Sequence, residues 1–212
     1  MKTKFCLFIL SSLNASAAIT YILPGASEQS TWILNNTNYP TATYRSFGTA
    51  AQPWGAAALP TSGTSSATLE KVSGSGYMSS AGFMYTAGQI GNFRISDTSP
   101  LASMETLIFQ GGISAPFDRA PIFNYNGGTQ AIAAQYFLLS PGTPYPDRVW
   151  QWDLTGIMDP LTSYEILFSG HVAATSLTID VSNSYLQIIP EPSTGLLGIS
   201  ALALTLICRR RV

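Results

Sequence analysis

Apolar residues recur every second position through most of the chain, and this alternation restricts its fold more than any other feature. In SLTIDV, Leu177, Ile179 and Val181 alternate with Thr178 and Asp180. YEILF sets Tyr164, Ile166 and Phe168 on one face, and WQWDL does the same with Trp150, Trp152 and Leu154. A period of two marks a half-buried strand, because successive side chains of an extended chain point to opposite sides. TATYRSF (41–47), METLIFQ (104–110) and AIAAQYFLL (131–139) are further strand candidates, rich in aromatic and branched residues.

Turn signals fall between these stretches: SGTSS, SGSG, FQGGIS, YNGGT, LSPGTPYPD and VSNS. Asn126-Gly127 is the strongest, since both residues accept the positive φ of a tight hairpin. PLASMETL supports at most one or two helical turns. Many short strands at short spacing predict an all-β protein with a single β-sandwich domain, jelly-roll-like, over residues 19–189. A single up-and-down barrel is the alternative.

The two ends read differently. MKTKFCLFILSSLNASAAIT carries Lys2 and Lys4, an apolar run from Phe5 to Leu13, and small residues Ala15, Ala17 and Ala18. That layout predicts a cleavable signal peptide over 1–18 and export through the Sec machinery. At the other end, residues 194–208 are uncharged and apolar, and Arg209, Arg210 and Arg211 follow. As a helix this run would reach about 22 Å at about 1.5 Å per residue, which is marginal for a membrane span. The arginines sit where the positive-inside rule holds them, so transient or permanent membrane contact through 194–208 is expected.

Pro190-Glu191-Pro192, then Ser193, a short apolar segment and the Arg209–Arg211 cluster resemble the PEP-CTERM sorting tail of Gram-negative bacterial exported proteins. The resemblance covers residues 190–212. It implies a short hydrophobic C-terminal helix, a membrane-bound exosortase as partner, and delivery to the cell surface or an exopolysaccharide matrix after transient anchoring in the inner membrane. A looser resemblance, carried by GNFRISDTSPLASMETLIFQ, NYNGGTQAIAAQYFLL and the stretch from Trp150 to Tyr185, is to other exported PEP-CTERM proteins expected to be β-sandwiches. That group has no activity to carry over.

Residues 19–189 hold five basic and ten acidic side chains, a net charge of −5. An acidic domain lacks the electrostatic footprint of a nucleic-acid binder. Both cysteines, Cys6 and Cys208, lie in the terminal segments, so the domain between them has no internal disulfide.

No catalytic constellation is legible. His171 is the one imidazole, in FSGHVA between two candidate strands, and no serine sits in a G-x-S-x-G elbow. A loop or strand-end histidine is the expected role. One histidine without cysteine leaves too few ligands for zinc. GSGYMSSAG has neither the lysine of a phosphate loop nor dinucleotide spacing. A glycosidase needs two carboxylates about 5 to 10 Å apart, and no E-x-D or E-x-E pair occurs. Asp147, Asp153 and Asp159 are expected at turns and strand ends.

Two binding readings remain. Oxygen ligands for Ca²⁺ are offered by Glu28 near the first strand and Asp180 near the last. Among the tryptophans, Trp150 and Trp152 are expected in the core. Trp32 and Trp54 stand beside Asn-rich and Pro-Gly-rich segments and are the candidates for exposed glycan contact. The expected function is that of a non-catalytic cell-surface or exopolysaccharide-matrix component. The alternative is a carbohydrate-binding, lectin-like domain or, less favoured, a glycan hydrolase.

Overall fold

The computed structural model describes residues 23–42, 54–86 and 89–186. The predicted signal peptide, sorting tail and C-terminal apolar helix lie outside these residues, as does most of the strand expected at 41–47. Among the described residues the chain forms two antiparallel sheets and no α-helix, and none of its helices is long and apolar enough to cross a membrane.

The first sheet has the order β10-β11-β7-β13-β1-β2: Gln135–Leu138, Asp147–Asp153, Thr106–Ile113, Ala173–Ser182, Ser27–Ile33 and Ser62–Gly63. A small hairpin of β4 (Tyr77–Met78) and β5 (Met84–Tyr85) pairs with β13 beyond the end of β1. The second sheet runs β3-β6-β12-β8-β9: Thr68–Gly74, Gly91–Asp97, Tyr164–Gly170, Arg119–Tyr125 and Ile132–Ala133. The sheets face each other across one core, the arrangement of a β-sandwich.

Alternation decides which residues enter that core. Trp32, Leu177, Ile179 and Val181 point inward from the first sheet, and Phe93, Ile95, Ile166 and Phe168 from the second. Phe168 joins the layers, its ring 5.2 Å from Phe109 and 4.8 Å from Phe117. Aromatic pairs at such distances add roughly 0.5–1.5 kcal/mol each beyond area burial.

Asn126 and Gly127 take the positive φ that the Asn-Gly signal predicts, 50° and 69°, but the hairpin is not a tight one: the connection from β8 to β9 is longer, and the paired residues nearest the turn are Phe123 and Ile132. FQGGIS, by contrast, is no turn. Gly111 and Gly112 lie inside β7, opposite Leu177 and Ser176, where the register of β13 shifts. A Cβ on Gly111 would stand 2.6 Å from the Ser176 carbonyl oxygen. The glycine is there because the neighbouring backbone comes too close for a side chain.

Both ends of the described domain meet on the outer face of the first sheet. Leu23 and Leu186 cover Ile108 and Val149 there. Ser182 Oγ donates to the Pro24 carbonyl, and Asn183 N donates to the Ala26 carbonyl at 3.1 Å.

Candidate functional site

Neither of the two tryptophans expected at the surface is there. Trp32 is fully buried, on the inner face of β1, and its indole N–H donates to the Ala58 carbonyl at 2.9 Å. Trp54 is buried too, with its N–H given to the Gly76 carbonyl at 3.0 Å and its ring 6.0 Å from Phe93. Asn-rich and Pro-Gly-rich neighbours mark the loops correctly, but each ring folds inward, where it buries a large apolar area and finds a carbonyl for its N–H. Trp150 and Trp152 lie in the core as expected.

The paired calcium candidates are separated by the sheet itself. Glu28 lies opposite Val181 and so on the inner face, whereas Asp180 lies opposite Gln29 on the outer face. One ion cannot reach both. Asp180 is nevertheless well held. Gln29 Nε2 donates to its Oδ1 at 2.7 Å and Gln110 Nε2 to its Oδ2 at 3.1 Å. Burial pushes its pKa up to about 6, and these two hydrogen bonds hold the rise back.

His171 occupies the short connection between β12 and β13 and is exposed. Its backbone N–H donates to Asp118 Oδ2 at 2.7 Å. Asp147 opens β11 and Asp153 closes it, and Asp153 Oδ1 accepts from the Thr155 N–H and hydroxyl at 3.0 and 2.6 Å. These are strand-end and turn roles.

The outer face of the second sheet carries a polar constellation that no sequence motif marks. Across β3, β6, β12 and β8, Thr68, Ser96, Glu165 and Asn124 form one cross-strand row, and Glu70 and Arg94 begin the next. Arg94 Nη2 meets Glu70 Oε2 at 2.6 Å and its Nη1 lies 3.8 Å from Glu165 Oε2. Asn124 Nδ2 donates to Glu165 Oε1 at 2.9 Å. The signal was present in GNFRISD: Asn92, Arg94 and Ser96 alternate with Phe93 and Ile95. Chemically this cluster offers donors and acceptors and an arginine between two carboxylates, and the register adds Arg119 opposite Ser169 on the same face. That suits hydrogen bonding to polyhydroxyl chains.

Two clefts open elsewhere. One, of about 400 Å³, lies between residues 38–42 and 54–61. The other, of about 350 Å³, is lined by Ala102–Glu105 and by Leu154, Met158 and Leu161. Among the described residues no three His, Cys, Asp or Glu side chains gather to hold a metal. No protein-family model, curated protein or solved structure matches the chain.

Proposed function

We propose that the chain is an exported, non-catalytic component of the cell surface or exopolysaccharide matrix, sorted by an exosortase through Pro190-Glu191-Pro192 and the Arg209–Arg211 cluster. One observation carries the reading: the hydrogen-bonded meeting of residues 24–26 with 182–183 on the first sheet. A tail leaving from there holds the first sheet towards the membrane and turns the polar outer face of the second sheet away from it. Glycan contact then falls to Thr68, Glu70, Arg94, Ser96, Asn124 and Glu165 rather than to the buried tryptophans. Within the sandwich class the chain is read as jelly-roll-like, since β6 to β7, β7 to β8 and β12 to β13 each cross between sheets.

The test is intact mass and cell fraction in the native host, comparing wild type with a variant carrying alanine at 190, 191 and 192. Loss of the tail and release of the wild type, with the variant kept whole in the inner membrane, supports sorting. Identical mass and fraction for both would reject it. A lectin-like role on the same face is supported by the Arg94–Glu165–Asn124 network, and is tested by retention on the host's exopolysaccharide before and after Arg94→Ala.

A further inference from the structure

Asn126-Gly127 is the one Asn-Gly step in the chain, and both residues are exposed in the connection from β8 to β9. Gly128 N donates to the Tyr125 carbonyl at 2.9 Å and closes a four-residue turn around them. The Asn126 side chain does not stay within that turn. It reaches across to residues 154–163, the connection from β11 to β12. Its Oδ1 accepts from Thr162 N at 2.8 Å, from Thr162 Oγ1 at 3.0 Å and from Ser163 N at 3.4 Å. Its Nδ2 donates to the Pro160 carbonyl at 2.9 Å. Asn126 N also donates to the Ser163 carbonyl at 3.0 Å, which carries the β8–β12 ladder one bond further. One carboxamide thus pins a connection whose Leu154, Met158 and Leu161 line the second cleft.

The same carboxamide is chemically labile, since asparagine loses its amide most readily where the next residue puts no side chain in the way. Gly127 has none, and a Cβ built on it would meet nothing within 4 Å. Its backbone nitrogen can therefore attack the Asn126 Cγ once that carbon turns towards it. In the fold the carboxamide is turned the other way. Its bonds to Thr162, Ser163 and Pro160 must break before Cγ can swing onto the Gly127 nitrogen. Each bond is modest alone, but together they make the reaction wait for a local opening of the connection.

We propose that Asn126 is a latched modification site: its carboxamide holds the 154–163 connection shut, and deamidation after an opening makes that opening permanent. In the first step the Gly127 nitrogen bonds to Asn126 Cγ, the Cγ–Nδ2 bond breaks, and ammonia leaves with the Gly127 amide proton. Water then opens the five-membered imide at either carbonyl, giving aspartate or isoaspartate. Neither product restores the latch. Aspartate sets a carboxylate oxygen against the Pro160 carbonyl where Nδ2 donated at 2.9 Å, and two acceptors at that separation repel. Isoaspartate draws Cγ into the main chain, so the group that reached Thr162 and Ser163 no longer exists as a side chain. The wall of the second cleft is freed in both cases.

Peptide mapping by mass spectrometry reads the reaction through the amide-to-acid mass gain at Asn126. In the full chain, purified in mild detergent and aged at mildly alkaline pH, Asn126 should react more than about tenfold slower folded than unfolded in urea, because only the open population reacts. Thr162→Ala, which removes one donor to Oδ1, should speed the folded reaction by about threefold or more. Equal rates in the folded and unfolded wild type would overturn the proposal. So would a folded Thr162→Ala protein that reacts no faster than wild type, since protection would then lie in the turn alone. The product is tested separately with Asn126→Asp. Deuterium uptake over 154–163 should quicken in that variant while β13 stays as in the wild type, and unchanged uptake over 154–163 would show that the modified chain recloses.

Discussion

Asp180 on β13 lies directly across from Gln29 on β1, and the 2.7 Å hydrogen bond between their side chains is made on the outer face of the first sheet. Its carboxylate titrates near pH 6 in the fold instead of at its ordinary 3.8. Between those values the native chain binds more protons than the unfolded one. This contribution to stability is therefore complete below about pH 4 and is lost as pH rises through about 6. A tenfold change in proton affinity corresponds to about 1.4 kcal/mol, so Asp180→Asn should raise stability at pH 7.5 by on the order of 1–3 kcal/mol and flatten the dependence. Urea denaturation at pH 4.5 and 7.5 checks this; an equal slope in both proteins would contradict it.

Trp32 combines complete burial with a 2.9 Å hydrogen bond to the Ala58 carbonyl. Trp32→Ala should cost about 3–5 kcal/mol through cavity and lost burial. Trp32→Phe, which keeps a ring but strands the carbonyl, should cost about 1–3 kcal/mol. Denaturant midpoints of the two variants measure the difference. Glycan retention of the Trp32→Phe protein should equal that of the wild type.

How much of this was written in the sequence depends on how local the information is. SLTIDV declared its inner face because its alternation is settled by neighbours two residues away. Gly111-Gly112 misled for the opposite reason. The same dipeptide serves a turn or a close approach, and only the Ser176 carbonyl, 65 residues on in sequence, tells them apart. Trp32 misled because polar neighbours describe the chain's path and not the direction of one ring. Asp97 follows Phe93 and Ile95 at a spacing of two, so its inward direction was legible. Its company was not: Ser65 and Ser66, whose hydroxyls donate to its carboxylate, precede it by 32 and 31 residues.

Gly111→Ala should be among the more damaging methyl additions in the chain. The new Cβ meets a backbone oxygen that cannot rotate away, and Leu177 Cδ2 stands 2.8 Å from it as well. A loss of about 1–3 kcal/mol is expected for such overpacking. Gly156→Ala, with nothing within 4 Å of its Cβ, should stay within about 0.5 kcal/mol of the wild type. Thermal melts of the pair, run side by side, decide whether the bulge opposite β7 needs its glycine.

Arg94 separates binding from stability. Its ion pairs with Glu70 and Glu165 are partly exposed, and pairs of that kind contribute about 0–1 kcal/mol. Arg94→Ala should therefore melt close to the wild type while losing retention on exopolysaccharide. Retention unchanged in a folded Arg94→Ala protein would remove this face from the binding account.

The antiparallel meeting of Ser27 with Ser182 also has a mechanical meaning. Held by both ends at once, the domain would open like a zipper, with β1 leaving β13 one hydrogen bond at a time. Held by its tail alone, with the load applied at the far sheet, the same domain is pulled along β13. That strand is hydrogen-bonded to β7 on one side and to β1 on the other, so the bonds on both flanks share the force in shear. If the domain is tethered at that end and gripped at its opposite face, the load would pass through β13, the strand bonded on both flanks.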